Sequence, residues 1–139
     1  MLCFAPLVMM GYALTMQTTW HHSVNVNAPV VEVQTCEKGL GFDAKASGAG
    51  LFGFGLQYGL TIVETEKWHL TFLPKAGLSY TSVARRELPM TGQFEVGGQF
   101  LVGYEDFRIG LEYWHLSDAG LKSPNIGLDM LVLQTGWRF

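Results

Sequence analysis

Three side chains near the carboxyl-terminal end of the chain have the types and spacing of a nucleophile, a base and an orienting acid. His115 and Ser117 are two residues apart, and Asp129 follows the serine twelve residues later. A serine hydroxyl alone is a weak nucleophile at neutral pH, but a histidine that is held by a carboxylate can remove its proton. The three residues are therefore candidates for a serine hydrolase site.

These side chains can meet only if the segments that carry them pair. Residues 107–117 and 128–139 are candidate strands joined by a loop. Antiparallel pairing can place position 115 opposite position 129, with Cβ atoms about 4.5–5.5 Å apart. Asp129 would then hold one ring nitrogen of His115. Ser117 would lie on the same face, within reach of the other nitrogen.

From Gly50 onward, apolar residues alternate with small or polar ones, which is the period of a strand with two different faces. The pattern predicts strands at 50–63, 67–82, 93–104, 107–117 and 128–139. On the last two strands His115, Ser117 and Asp129 occupy the alternate positions that elsewhere on the same strands carry apolar residues. Polar side chains at the rim of a membrane barrel can simply meet lipid headgroups, so a structural role is the alternative to catalysis.

Alternation alone would also fit a soluble sandwich or a lipocalin. Here the polar face mixes glycine with Lys, Glu, Gln, His and Thr, which is typical of the crowded interior of a narrow barrel. Aromatic residues concentrate near strand ends, and short connections (64–66, 105–106) alternate with long ones (83–91, 118–127). We expect an all-β, eight-stranded antiparallel up-and-down transmembrane β-barrel, with the long loops outside and Phe139 at the periplasmic rim.

The amino-terminal part is less regular. Residues 1–14 are apolar at odd and even positions alike, which is typical of a signal-peptide remnant, although a basic start is missing, or of a first strand. Residues 15–139 are expected to form one outer-membrane β-barrel domain. Within them, 19–26 and 30–35 are weaker strand candidates, and 37–49 has room for a short strand and a loop.

Composition excludes several classes of function. The chain has 139 residues and a net charge of −3, so it has no basic surface for nucleic acid. It is 48% hydrophobic, yet no window of 18 apolar residues could cross a bilayer as a helix. Cys3 and Cys36 have no metal-binding spacing. We expect neither a metal nor a cofactor.

The segment from His115 to Asp129 resembles the signature of the lipid A 3-O-deacylase family, outer-membrane esterases built on eight-stranded barrels. The shared features are the H-x-S spacing, the Ala-Gly pair that follows, and Pro124-Asn125-x-Gly127. The resemblance implies that Ser117 is the nucleophile, His115 the general base and Asp129 the orienting acid. The family typically has glutamate where this chain has Asp129.

A second departure is Asp118, where the family usually has asparagine. A carboxylate near the oxyanion hole would repel the developing negative charge. The backbone amides of Ala119 and Gly120 and the side chain of Asn125 are the remaining candidate donors.

The resemblance implies lipid A, or lipopolysaccharide, as substrate, and an active site at the outer-leaflet rim of a bacterial-type outer membrane. Arg85, Arg86 and Lys122 lie in the long loops and are candidate contacts for its phosphates, unless they only solvate those loops. A homodimer is left open. The alternatives are a non-enzymatic barrel, structural or adhesive, that carries an inactive motif, and an acyl-chain binding or soluble lipocalin-like protein.

Overall fold

The computed structural model describes residues 6–16, 27–82, 91–117 and 127–139, which form one closed antiparallel barrel. Its strands are β1 (Leu7–Thr15), β2 (Ala28–Gln34), β3 (Gly39–Ser47), β4 (Leu51–Glu64), β5 (Trp68–Thr81), β6 (Gly92–Tyr104), β7 (Phe107–Ser117) and β8 (Leu128–Arg138). Each strand pairs with the next along the chain, and β8 pairs with β1. The predicted eight-stranded barrel is confirmed. Among the described residues, no helix is long and apolar enough to cross a membrane.

The first strand explains why the amino-terminal pattern was hard to interpret. Residues Leu7–Thr15 form the strand β1, which closes the barrel between β2 and β8. Its inward side chains are apolar as well as its outward ones, because Leu7 and Met9 pack in the lumen against Leu73 and Leu101. A strand that is apolar on both faces loses the alternation by which strands are recognised.

The other weak candidates have mixed outcomes. The segment 30–35 corresponds to β2, and 37–49 contains β3, a strand of nine residues. The candidate 19–26 lies outside the described residues. The connection from β3 to β4 is a tight turn at 48–50, closed by Gly50 at a φ of 80°, although it lies at the end where we expected the longer loops.

The outer wall is an apolar surface around the barrel. Outward positions of β4 to β8 carry exposed apolar residues, among them Phe54 at 60% and Leu133 at 61% exposure. Aromatic rings gather near one end, where Trp68 packs at a tilt against Tyr104 and Phe107 lies against Trp137. This arrangement, an apolar band with an aromatic border, is the one that a bilayer requires of a barrel.

The lumen is filled by side chains. Near its middle, Lys45 and Lys75 both bind Glu112, and Lys75 also binds Glu32. Towards one end, Arg108 forms a two-pronged ion pair with Glu37. The charged groups compensate one another in a site that is closed to water, as buried charges must.

Towards the opposite end, an apolar cluster closes the lumen behind β7 and β8. Its members include Trp114, Leu116, Leu128 and Met130, and each of these is at most 5% exposed. The indole Nε1–H of Trp114 donates to Glu95 at 2.8 Å, which satisfies the ring's one polar atom. The inward residues of β7 and β8 are therefore fixed by packing, and this fixes the residues that alternate with them on the outer wall.

Candidate active site

His115 and Asp129 face each other across the β7–β8 pair. They are direct partners in the antiparallel register, as the hairpin argument predicts. The Nδ1 atom of His115 lies 2.6 Å from Oδ1 of Asp129. The shorter side chain of aspartate therefore reaches the ring, because directly opposed residues have close Cβ atoms. Because an ionised carboxylate only accepts hydrogen bonds, Nδ1 carries the proton and Nε2 is left as the basic nitrogen.

The pair lies on the apolar outer wall and not in the lumen. Both side chains are partly exposed, His115 at 29% and Asp129 at 28%. On the neighbouring strand β6, Val96 pairs with His115, and this valine is 53% exposed on the same wall. Both side chains of the pair therefore face outward, as the alternation along the two strands predicts. A hydrophobic ligand beside the barrel would contact the valine and the imidazole together.

Ser117 is the last residue of β7 and shares the outward face of His115. It is half-buried and pairs with Phe94 of β6. Two residues along a strand correspond to a Cα separation of about 7 Å, so Ser117 follows His115 on the same outward face of β7. The fold therefore brings the three predicted residues onto one patch: the His115–Asp129 pair, with Ser117 at its outer edge.

Tyr113 is a fourth member of this patch that the sequence analysis did not single out. Its hydroxyl donates a hydrogen bond to Oδ1 of Asp129, the same oxygen that His115 contacts. Its ring lies nearly parallel to the imidazole, at 14°, with centroids 6.5 Å apart. In the sequence Tyr113 is one of the alternating apolar residues of the strand 107–117. The signal that could have found it is its position two residues before His115 on the same face.

Gly127 packs against the edge of the imidazole. Its φ is 78°, and a Cβ built on it would lie 3.0 Å from Cε1 and 3.7 Å from Nε2 of His115. A side chain there would strain the backbone and press on Cε1 of the imidazole, whereas its distance to Nε2 would be an ordinary van der Waals contact. In the sequence Gly127 is visible only as the last residue of the Pro124-Asn125-x-Gly127 motif.

The other predicted site residues lie outside the described residues. This holds for the oxyanion candidates Ala119, Gly120 and Asn125, and for Asp118. It also holds for the phosphate candidates, which are Arg85, Arg86 and Lys122. Their roles stay predictions.

One cluster of carboxylates in the described part of the chain could hold a cation by spacing alone. Glu32, Asp43 and Glu112 are buried in the lumen, with one oxygen of each within 4.8 Å of the others. Lys45 and Lys75 contact these same three carboxylates. Two ammonium groups therefore already supply the positive charge that an ion would bring.

A closed eight-stranded barrel with an apolar wall, a charged lumen and polar side chains at one rim has the fold of a small outer-membrane β-barrel protein. Residues 9–138 match the model of the family "Lipid A 3-O-deacylase (PagL)", so the chain belongs to that family. It is 41% identical over 63 residues to the lipid A deacylase PagL of Bordetella bronchiseptica. That alignment covers 44% of this chain and only 35% of the relative.

Solved structures agree on the fold. The barrel is similar to the crystal structure of the outer membrane enzyme PagL, with a TM-score of 0.68 and 18% identity over 94% of this chain and 98% of that one. It is also similar to Ail, the attachment invasion locus protein of Yersinia pestis, with a TM-score of 0.56 and 14% identity over 99% of both chains. At these identities the similarity shows the architecture, and an enzyme and an attachment protein share it.

Proposed function

We propose that this protein is an outer-membrane serine esterase that hydrolyses an ester-linked acyl chain of lipid A. The observation that carries the proposal is the His115–Asp129 pair on the apolar outer wall. Membership in the lipid A 3-O-deacylase family supports the substrate class, and we take the 3-O position from the family. A lipid-facing site suits this substrate, because acyl chains of the outer leaflet lie beside a barrel and not inside it.

In the proposed mechanism, Nε2 of His115 removes the proton of the Ser117 hydroxyl as its Oγ attacks the ester carbonyl carbon. Asp129 holds the ring by Nδ1 and stabilises the imidazolium that forms. The tetrahedral intermediate collapses when His115 returns the proton to the sugar oxygen, which leaves as an alcohol. Water, deprotonated by the same nitrogen, then hydrolyses the acyl-serine, and a free fatty acid departs.

The surroundings of the site supply the other requirements. Val96 and Phe94 present apolar surface beside His115 and Ser117, on which the acyl chain would lie. We assign the oxyanion hole to the loop after the serine, with Ala119, Gly120 and Asn125 as donors. Arg85, Arg86 and Lys122 would contact lipid A phosphates at the outer rim.

The direct test is fatty acid release from lipopolysaccharide by the folded barrel in detergent micelles. We expect the wild-type protein to release one class of fatty acid, and mass spectrometry of the remaining lipid A should show loss of the chain at the 3-O position. Ser117→Ala should abolish release. Thr135→Ala is the matched control, because it removes an outward hydroxyl from β8 well away from the site.

The same experiment decides between the enzyme and the non-enzymatic barrel. If the folded wild-type protein releases no fatty acid, the esterase proposal is wrong and a structural or adhesive role is left. If release occurs at another acyl position, the reaction class stands and the 3-O assignment is wrong.

A further inference from the structure

Asp129 receives two hydrogen bonds on one oxygen. The His115 ring contacts Oδ1 from β7, and the hydroxyl of Tyr113 donates to the same atom. Tyr113 and His115 are two residues apart on one face of β7, so both donors approach Asp129 from the same neighbouring strand. The carboxylate is thus held between two groups whose own positions are set by one strand.

An aspartate at this position needs such a constraint. The side chain is 28% exposed, so packing alone does not hold it, and its χ angles are otherwise free to turn the carboxylate away from the ring. A second donor, roughly parallel to the imidazole, selects the orientation in which Oδ1 faces Nδ1. Hydrogen bonds to a charged acceptor are the stronger kind, which suits them to this task.

We propose that Tyr113 is a positioning residue of the proposed esterase site, which acts by fixing the Asp129 carboxylate against Nδ1 of His115. The inference rests on the proposed function. The competing explanation is that Tyr113, 41% exposed, has only a border role: its ring covers the apolar outer wall beside the His115–Asp129 pair. That role requires the ring, and it gives the hydroxyl no influence on turnover.

The variant Tyr113→Phe separates these explanations, because it keeps the ring and removes only the hydroxyl. With lipopolysaccharide as substrate, we expect kcat to fall by about tenfold, the equivalent of one net hydrogen bond, with KM within about twofold of wild type. Tyr104→Phe is the matched control: this tyrosine is also on the outer wall, but at the far end of β6, where its ring packs at a tilt against Trp68. A border role predicts wild-type kcat for both variants and would overturn the proposal.

Asp129→Glu provides a second test, because the longer glutamate side chain reaches the imidazole with a different geometry. We expect the orientation of its carboxylate to depend less on the Tyr113 hydroxyl. If the hydroxyl acts through the carboxylate, the effect of Tyr113→Phe should change by at least threefold in the Asp129→Glu background. An unchanged effect would mean that Tyr113 does not act through Asp129, and the proposal would be wrong.

A readout that needs no turnover keeps this test independent of the esterase proposal. In barrels labelled with ¹⁵N-histidine, the His115 signals, identified by their loss in His115→Gln, should show the Nδ1–H tautomer in the wild type. Tyr113→Phe should add the Nε2–H tautomer, and Tyr104→Phe should not. An unchanged tautomer overturns the positioning role, whether or not fatty acid is released. A shifted tautomer without fatty acid release supports the positioning role and contradicts only the esterase.

Discussion

Replacing Asp129 by asparagine keeps the shape of the side chain and removes its charge. The charge matters when His115 becomes an imidazolium in the transition state. With Nδ1 and Oδ1 2.6 Å apart, the two charge centres are separated by about 4 Å, an attraction of about 4 kcal/mol at an effective dielectric constant near 20. Because both side chains are close to 30% exposed, screening reduces this to about 2 kcal/mol.

This free energy corresponds to a loss of about 30-fold in kcat for Asp129→Asn, and of about 1000-fold if screening is absent. The assay is initial-rate fatty acid release from lipopolysaccharide micelles, with the folded fraction checked by the gel mobility of unheated samples. KM should change little, because the carboxylate does not touch the acyl chain in the proposed mechanism. A fully folded variant with less than a threefold loss would refute the role given to Asp129.

Further predictions concern the residues next to this pair and the charged residues of the lumen. Asp129→Glu should show equal or greater fatty acid release, and complete loss would mean that the assigned geometry is wrong. Gly127→Ala should lower stability by about 1 kcal/mol in urea unfolding and also reduce turnover, because its φ is 78° and its Cβ would crowd His115. Gly92→Ala, where a Cβ meets nothing within 4 Å, is its control. Glu112→Gln should destabilise the barrel by about 3 kcal/mol in the same measurement, since it leaves Lys45 and Lys75 short of a partner; the exposed Glu66→Gln should not.

Strand positions on the outer wall could be predicted because lipid imposes one rule on them. Each outward side chain of a strand such as β7 has to be apolar, so Phe107, Ile109 and Leu111 made the period visible and exposed His115 as an exception. The opposition of His115 and Asp129 followed from antiparallel pairing across a single loop. Local sequence is enough for both inferences.

Alternation along a strand does not predict the contacts that depend on closure of the barrel or on the orientation of a side chain. Lys45 binds Glu112 across the lumen, 67 residues away, and alternation indicates only that both face inward. Tyr113 fitted the apolar row by its ring, so its hydroxyl gave no separate signal. The acceptor of that hydroxyl is determined by the rotamer of Asp129, a residue on another strand.

The central claim is that Ser117 on the lipid-facing wall attacks an acyl ester. The most direct measurement is covalent trapping of the folded barrel with a long-chain alkyl phosphonate that phosphonylates activated serines, followed by peptide mass spectrometry. We predict one adduct, on Ser117, which is lost in His115→Gln and formed more slowly in Asp129→Asn. An adduct on another residue, or fatty acid release that continues after Ser117 has been fully phosphonylated, would contradict the claim.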